Sequence, residues 1–317
     1  MIGRYTPNKR HRITGVLLVL LLLWAVKASA GPIAVLLSDE EEAYSMPINT
    51  FVKEIGNPVI LYNLNGDIQK APAIMAEIFS KKPDLIFALG AKAAYISKVW
   101  TSDRQEIPVI FAMVLNWQRY KLLDGQNNIA GIAYDVAPGT QFVNMTLFSP
   151  NAKRIGVIYS EEHSKQMVLK AQKAAQLLGL ELISKPINHP KEFRKAFREI
   201  SNKIDSFWIL TDPIVYTLDN LSWLRNKCIK NRLICIGQSK NVAKLGTLLA
   251  VDPDIPNIGS QAASMARNIL FKNQNPHEIG VMPPLGTKLY VNLKTARKIG
   301  ITISQPAMDI VNEIVDK

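Results

Sequence analysis

The chain has 317 residues, of which 48% are hydrophobic, so it is long enough to form two compact domains. It contains 38 Lys and Arg against 26 Asp and Glu, a formal net charge of +12. The basic residues are scattered among acids along predicted helix faces rather than concentrated in one arm. A solvated basic surface is therefore favoured over a nucleic-acid-binding one, and we expect no nucleic-acid partner.

Residues 1–30 have the three parts of a secretory signal peptide. A basic segment, "RYTPNKRHR", precedes the apolar run "ITGVLLVLLLLWAV", and small residues follow at 28–30. We expect cleavage after Ala30 and a periplasmic mature protein, whose formal charge would be about +7. The alternative is an uncleaved anchor helix, which is disfavoured because the apolar run is shorter than the ~20 residues of a membrane span. The residue directly after the cleavage site is Gly31 rather than a cysteine, which argues against a lipid-anchored protein.

From Gly31 onwards, short apolar strands alternate with segments of helical length and polarity. The first set of strands is "PIAVLLS", "PVILYNL", "DLIFALG", "PVIFAMVL" and "NIAGIAYD". After a break near residues 135–153, a second set follows: "RIGVIYS", "LELISKPI", "SFWILTD", "RLICIG" and "GTLLAVD". Continuous apolar strands separated by helices indicate parallel sheets covered on both faces. The predicted fold class is therefore α/β, with two Rossmann-like βα lobes that hinge about a cleft.

The two cysteines of the chain, Cys228 and Cys235, fall late in a predicted helix and within a predicted strand. Export would permit their oxidation, but a disulfide needs Cα atoms within about 7 Å of each other. We therefore expect two separate packed thiols, with a disulfide as the alternative. Two cysteines without a nearby histidine do not make a tetrahedral zinc site.

The sequence contains none of the motifs that would indicate common catalytic or nucleotide-binding chemistry. No G-x-G-x-x-G follows a strand, and G-x-x-x-x-G-K-[ST], H-E-x-x-H and G-x-S-x-G are all absent. The histidines downstream of the signal segment are scattered, with no ligand spacing. We therefore expect a binding protein rather than an enzyme, with no catalytic residue, no metal site and no cofactor.

The candidate ligand-binding residues lie where the predicted strands end, because open parallel sheets bind ligands outside the carboxyl ends of their strands. In the first lobe they are Ser38, Gly90, Ala91, Lys92, Ala93, Asn116, Trp117, Tyr134 and Asp135. In the second lobe they are Ser160, Thr211, Asp212, Tyr216 and Gln238. The aromatic members are either stacking walls for a ligand or ordinary packing.

Lys92 and Asp212 each allow two interpretations. The strand-to-helix turn at Gly90 offers helix amides to an anionic group, and Lys92 either points into the cleft or into solvent. Asp212 precedes Pro213, so it is either the N-cap of a helix or the partner of a ligand's ammonium or hydroxyl group. The two roles of Asp212 are compatible.

Several segments resemble the ABC-transporter substrate-binding proteins of the tryptophan/tyrosine-type group. They are "PNAKRIGVIYS", "KAQKAAQLLGLEL", "GSQAASMARNIL" and "KLYVNLKTARKIGITI", and the resemblance covers nearly all of the chain after the signal segment. It implies the type I periplasmic-binding-protein fold, in which three crossovers join the lobes. Carried onto this chain, the N-terminal lobe comprises 31–135 plus 253–287, and the C-terminal lobe comprises 136–252 plus 288–317.

The binding loops depart from the pattern of that family. The family's turn usually reads G-T-P-A-A, whereas here residues 90–94 read Gly-Ala-Lys-Ala-Ala. The Ser/Asp-Pro pair usual after the next strand is replaced by Leu115, Asn116 and Trp117. Thr211 and Asp212 keep the family's Thr-Asp.

The leading interpretation is the periplasmic component of an ABC importer, a monomer that closes on a small amino-acid-like anion or zwitterion and delivers it to a membrane permease. Residues 91–93 would bind the anionic end of the ligand and Asp212 its cationic or hydroxylated end. The alternative is a periplasmic sensor of the same fold that signals to a membrane kinase or receptor.

Overall fold

The structure is a computed structural model that describes residues 31–40 and 42–316. The predicted signal peptide lies outside the described residues. Within them, no helix is both long and apolar enough to cross a membrane.

The described residues form two sheets and the helices that cover them. The strands are β1 (Ile33–Leu37), β2 (Val59–Asn63), β3 (Leu85–Leu89), β4 (Val109–Val114), β5 (Ile129–Ala133), β6 (Arg154–Tyr159), β7 (Glu181–Pro186), β8 (Ser206–Trp208), β9 (Ile234–Gly237), β10 (Leu249–Pro253), β11 (Val281–Met282), β12 (Thr287–Asn292) and β13 (Glu313–Asp316). The α-helices are α1 (Glu42–Ile55), α2 (Ala71–Ser80), α3 (Ala91–Trp100), α4 (Pro138–Phe148), α5 (Glu161–Leu177), α6 (Phe193–Ile200), α7 (Leu218–Lys230), α8 (Lys240–Lys244), α9 (Ile255–Lys272), α10 (Pro276–Ile279), α11 (Leu293–Ile299) and α12 (Gln305–Asp309). Short 3₁₀ turns lie at Ile68–Lys70, Trp117–Tyr120 and Pro190–Glu192.

The first sheet has the order β11-β5-β4-β3-β1-β2, and its strands are all parallel. Helices α1 and α9 pack on one face, where the rings of Phe51 and Phe87 lie 4.5 Å apart. Helices α2 and α3 cover the other face through a second cluster that includes Met75 and Phe111. Because both faces are covered, the side chains of β3 are buried in both directions, which explains its continuous apolar sequence.

The contact between α1 and α9 depends on a glycine. A Cβ atom added at Gly259 of α9 would lie 2.2 Å from the backbone oxygen of Pro47 in α1. No side chain fits at that distance, so glycine allows the two helices to approach and to cover the first sheet closely. This packing holds α9 on the first sheet although β10, the strand that precedes it, belongs to the second.

The second sheet has the order β13-β12-β10-β9-β8-β6-β7, and only the β10–β12 pair is antiparallel among the described strands. Trp208 of β8 is fully buried, packs edge-on against Phe142 at 5.2 Å, and donates from its indole Nε1 to Gln141 Oε1 at 2.8 Å. The indole donor therefore has its partner inside the core, as a buried tryptophan requires.

The chain passes between the two sheets three times. It leaves the first sheet after β5, returns through α9 to β11, and enters the second sheet again at β12. The predicted α/β fold with two lobes and three crossovers is confirmed by this topology.

The prediction of two separate thiols is wrong, because Cys228 and Cys235 form a disulfide with a Cα–Cα distance of 6.5 Å. Helix α7 ends in a tight reversal in which Arg232 has a left-handed φ of 52° and the Leu233 N–H donates to the Cys228 carbonyl at 2.8 Å. The reversal places the start of β9 beside the last turn of α7. Seven residues of sequence separation are thus compatible with the geometry of a disulfide.

Candidate functional site

A cavity of about 490 Å³ lies between the two sheets, at the carboxyl ends of their strands. This volume is within the range of small-molecule sites, about 300–1,000 Å³. Its lining comprises Leu115, Asn116, Arg119, Tyr120, Tyr134, Asp135, Val136, His163, Ile209, Leu210, Thr211, Asp212, Pro213, Tyr216, Leu221, Gln238, Ser239, Val242, Asp252 and Pro253. Both lobes therefore contribute to the wall, and residues of two of the crossovers also line it.

The structure brings half of the predicted site residues to this cavity. Those that line it are Asn116, Tyr134, Asp135, Thr211, Asp212, Tyr216 and Gln238. Those that lie outside its lining are Ser38, Gly90, Ala91, Lys92, Ala93, Trp117 and Ser160. In the first lobe, the segments after β4 and β5 supply residues to the lining, whereas the segments after β1 and β3 supply none.

The turn at Gly90 is built around interactions within the first lobe. Gly90 has a φ of +88°, and a Cβ there would lie 2.3 Å from Tyr44 Oη. The buried hydroxyl of Ser38 accepts the N–H of Ala93 at 2.9 Å, which satisfies one amide of the first turn of α3. Lys92 is exposed, and its Nζ donates to the Gly66 carbonyl at 2.6 Å. Lys92 therefore does not point into the cavity; it lies at the exposed surface, where its ammonium binds the loop after β2.

Side chains of the segment after β4 contact the second lobe. Asn116 has a left-handed φ of 47°, and its N–H donates to Asp135 Oδ2 at 2.9 Å. Its side-chain Nδ2 donates across the cleft to the His163 carbonyl at the start of α5. Arg119 also crosses the cleft, with its guanidinium 3.6 Å from the exposed carboxylate of Glu162.

The predicted wall residue Trp117 belongs to the core of the first lobe instead. Its ring lies 6.2 Å from that of Phe111 in the cluster beneath α2 and α3. Tyr216 lines the cavity but is held by the second lobe, because its hydroxyl donates to the Ile158 carbonyl at 2.8 Å. Burial, reinforced by the charge of Asp212, raises the pKa of Tyr216 well above its usual value, so this hydroxyl stays protonated.

Asp212 is only 2% exposed, and its carboxylate is occupied by the protein itself. Oδ2 accepts from the N–H and the hydroxyl of Ser160, both at 2.8 Å, and from the hydroxyl of Ser164 at 2.7 Å. Oδ1 accepts from the N–H groups of Ile214 and Val215 at 3.1 and 3.3 Å. Five donors fill the roughly four lone-pair positions of a carboxylate. Asp212 thus ties the start of α5 to the turn after β8.

The prediction that Asp212 caps a helix is wrong. Residues 213–215 form a turn, and α7 begins only at Leu218. Its N-cap is Thr217, whose hydroxyl accepts the Asn220 N–H at 3.2 Å. Asp212 caps the isolated turn in the same manner, because an aspartate oxygen readily accepts from amides two and three residues ahead.

The cluster of Ser160, His163 and Asp212 contains the residue types of a hydrolase triad but not its geometry. Ser160 Oγ donates to Asp212 and lies 3.2 Å from His163 Nδ1, so the carboxylate holds the serine rather than orienting the histidine. Ser160 is 3% exposed and is the N-cap of α5. The arrangement is that of a helix start.

Two acidic side chains at the crossovers dominate the electrostatics of the cavity. Burial raises the pKa of Asp135, against the lowering effects of the Asn116 N–H and the charge of Lys170. Burial likewise raises the pKa of Asp252 to about 6, against the Lys240 N–H, which donates to Oδ2 at 2.7 Å, and the Lys240 charge. The ammonium of Lys240 binds Glu313 instead.

Sequence reasoning missed Asp252, although the same signal that identified Asp135 was present. Both aspartates end an apolar strand sequence, "NIAGIAYD" and "GTLLAVD". Sequence reasoning also missed Arg119 and Tyr120, which lie in the 3₁₀ turn after β4, and His163, which lies in the first turn of α5.

Gln238 lines the cavity, and its side chain is held by Thr211. Its Oε1 accepts from the N–H and the hydroxyl of Thr211, at 3.3 and 3.0 Å. The Thr211 N–H can only donate, so it fixes which end of the amide is the oxygen. The Nε2 of Gln238 is then buried without a partner among the described residues.

No group of three or more His, Cys, Asp or Glu side chains in 31–40 and 42–316 is arranged to hold a metal ion.

The described fold and sequence are similar to those of several known binding proteins. Over 244 residues the chain is 25% identical to "Tyrosine-binding protein" of Clostridioides difficile (strain R20291), covering 75% of this chain and 69% of that protein. The ligand-free, open structure of a substrate binding protein with adhesive properties from Clostridium difficile superposes with a TM-score of 0.74 at 22% identity, covering 90% of this chain and all of the other. The ABC domain in complex with L-Trp from Streptococcus pneumonia superposes with a TM-score of 0.61 at 19% identity, covering 90% of this chain and 100% of the other.

The expected type I periplasmic-binding-protein fold is confirmed by these structures. The family model of the ABC transporter substrate binding proteins matches residues 51–313, which is well over half of the chain. The protein therefore belongs to the ABC transporter substrate binding protein family.

Proposed function

We propose that the protein binds a small amino-acid-like solute in the cavity between its lobes and delivers it to the membrane permease of an ABC importer. The N-terminal lobe, 31–135 plus 253–287, closes on the C-terminal lobe, 136–252 plus 288–317. The crossovers that carry Asp135 and Asp252 are the hinge. The protein works outside the cytoplasmic membrane, after cleavage of the segment 1–30.

The observation that carries this proposal is the cavity itself. It combines apolar and aromatic walls with a few polar groups, as small-molecule sites do. Tyr120 and Tyr134 of the first lobe and Thr211 and Gln238 of the second line the same cavity, so a solute that fills it would touch both lobes. The relatives whose names mention tyrosine and L-Trp make aromatic amino acids the first solutes to test.

Closure would change the role of the turn at Gly90. The N–H groups of Ala91 and Lys92 lie in the first turn of α3, where no intrahelical acceptor exists. When the lobes close, these amides approach the second lobe and are available to a negatively charged group of any solute that carries one. The Lys92 side chain takes no part, because Gly66 holds it.

The test is calorimetric titration and thermal denaturation of residues 31–317 with amino acids, amines, purines and oxoacids. A solute at 100 times its Kd raises the unfolding free energy by about 2.7 kcal/mol, which a melting curve resolves. If saturating solutes of every class left the melting temperature unchanged, the proposal would be refuted. Small-angle scattering with and without the bound solute tests closure, for which we expect a smaller radius of gyration.

A matched pair of variants locates the solute. Thr211 is exposed and lines the cavity, so Thr211→Trp fills the solute space without disturbing the core. Thr140 on α4 is exposed and outside the lining, so Thr140→Trp is the control. We expect binding to be lost in the first variant and retained in the second. Equal binding by both variants would place the solute elsewhere.

A further inference from the structure

The cavity has a charge opposite to that of the whole chain. The chain has a formal charge of +12, whereas the charged groups that line the cavity are Asp135, Asp212, Asp252 and Arg119. With His163 neutral, this gives the lining a formal charge of about −2, since three carboxylates face one guanidinium. Arg119 is itself 3.6 Å from Glu162, which reduces its influence further.

Two of the three aspartates are available to a ligand. Asp212 already accepts five hydrogen bonds. Asp135 and Asp252 each accept a main-chain N–H on Oδ2, from Asn116 at 2.9 Å and from Lys240 at 2.7 Å. Neither has a cationic partner within 4 Å among the described residues. A buried carboxylate without a counter-ion is unfavourable, so both attract a positive charge.

In the arrangement of the described residues, the turn at Gly90, which the sequence predicted for a carboxylate, does not reach the cavity, and the one guanidinium of the lining, that of Arg119, lies 3.6 Å from Glu162. The turn at Gly90 lies outside the lining, the Ala93 N–H is taken by Ser38, and the Lys92 ammonium is bound by Gly66.

A second, independent feature of the lining indicates a neutral ligand atom. Gln238 Nε2 is buried and has no partner among the described residues, while Thr211 fixes the other end of the amide. A buried N–H without an acceptor is rare in folded proteins. A hydroxyl or carbonyl oxygen of a ligand would supply that acceptor without adding negative charge to an acidic cavity.

From these contacts we infer that the ligand is a small aromatic amine with a neutral oxygen, whose ammonium group pairs with Asp135 and Asp252 and which needs no carboxylate. Tyr120 and Tyr134 supply ring faces for the cation and the aromatic part. This inference rests on the proposed function, which it narrows to one ligand class.

Matched series of ligands test the inference on the wild-type protein. Each L-amino acid is titrated beside the amine that lacks its carboxylate and the acid that lacks its amino group. For tyrosine these are tyramine and 3-(4-hydroxyphenyl)propionate. We expect the tightest binder in the panel to be an amine, with a Kd at least tenfold below that of its amino acid, and we expect the acids not to bind. Phenethylamine, which lacks the hydroxyl, should bind at least tenfold more weakly than tyramine.

The outcomes separate the two proposals. If the tightest binder is an amino acid or an acid, the inference is overturned while the solute-binding function stands. If no member of any series binds, the proposed function fails as well. A phenethylamine affinity equal to that of tyramine overturns the assignment of Gln238.

Charge-neutral variants test the two carboxylates. Asp135→Asn and Asp252→Asn keep an oxygen for the Asn116 and Lys240 amides but remove the charge. We expect each substitution to raise the Kd for the amine at least tenfold. Asp124 is exposed and lies outside the lining, so Asp124→Asn should change this Kd less than twofold. Urea unfolding confirms that each variant is folded. Unchanged amine affinity in both cavity variants would overturn the inference.

Discussion

Replacing Asp252 with asparagine should stabilise the unliganded protein at neutral pH. Asp252 is half-buried at the crossover after β10, and burial raises its pKa from 3.8 to about 6. A raised carboxyl pKa means that the folded state binds the proton more tightly than the unfolded state does. Stability therefore falls as the pH rises from about 3.8 through about 6, and the full penalty remains above that range.

The magnitude follows from the two pKa values. Ionising Asp252 in the folded protein costs about 3 kcal/mol at pH 7.5, since each pKa unit is worth about 1.4 kcal/mol. At pH 5.0 the folded carboxyl is mostly protonated, and the penalty falls to about 1.6 kcal/mol. The amide introduced by Asp252→Asn would retain an oxygen for the Lys240 N–H, so this substitution should remove most of this cost from the unfolding free energy.

Urea unfolding of wild type and Asp252→Asn at pH 7.5 and pH 5.0 measures the effect. The neighbouring charges of Lys240, Asp254 and Glu313 and the hydroxyl of Tyr290, whose pKa burial raises to about 12, are common to both proteins. We expect the variant to be more stable at pH 7.5, with an advantage that roughly halves at pH 5.0. An advantage that is absent, or that grows as the pH falls, would refute the reasoning. Together with weaker amine binding, a stabilised variant would mark Asp252 as a functional residue that lowers stability.

Three further predictions concern the scaffold. Replacing both Cys228 and Cys235 with serine should lower the unfolding free energy by about 2 kcal/mol in urea, because the disulfide closes a short loop in the unfolded chain. Gly90→Ala should destabilise the protein by about 2 kcal/mol or more, since Gly90 has a φ of +88° and an added Cβ would meet Tyr44. Lys92→Ala should leave ligand affinity within twofold of wild type in calorimetry, because its ammonium is bound outside the cavity.

For each of these three predictions, one result would contradict the reasoning. Equal urea midpoints for the oxidised protein and the double serine variant would exclude a stabilising disulfide. For Gly90, Gly56→Ala is a control with a similar φ of +79° but with nothing within 4 Å of an added Cβ. Equal losses in the two variants would attribute the effect to backbone strain alone. A tenfold loss of affinity in Lys92→Ala would show that Lys92 reaches the ligand on closure.

The strands and their order along the chain could be predicted from the sequence because their signals are local. An apolar run such as "DLIFALG" indicates a strand buried on both faces whatever lies elsewhere in the chain. The rule that ligands bind at the carboxyl ends of parallel strands then identified Asn116, Tyr134, Asp135 and Gln238, which do line the cavity.

The same rule could not say which strand ends share a cavity. Ser38 and Lys92 follow strands as Asn116 does, but the order β5-β4-β3-β1 places β4 and β5 nearer the second lobe. Strand order depends on packing between segments tens of residues apart, and no local pattern encodes it. The disulfide was missed for a related reason, because the reversal at Arg232 requires a left-handed backbone that residue type alone does not reveal.

By itself, the sequence determined the α/β class, the two lobes and the strand ends at which the cavity lies, because periodicity and strand ends are properties of neighbouring residues. Only the tertiary structure decided how the charges are used. In the folded chain, Asp212 accepts five hydrogen bonds, the Lys92 ammonium donates to Gly66, and Asp135 and Asp252 line the cavity. Whether a charged side chain is free or satisfied depends on the donors and acceptors that the fold brings to it, and those come from distant parts of the chain.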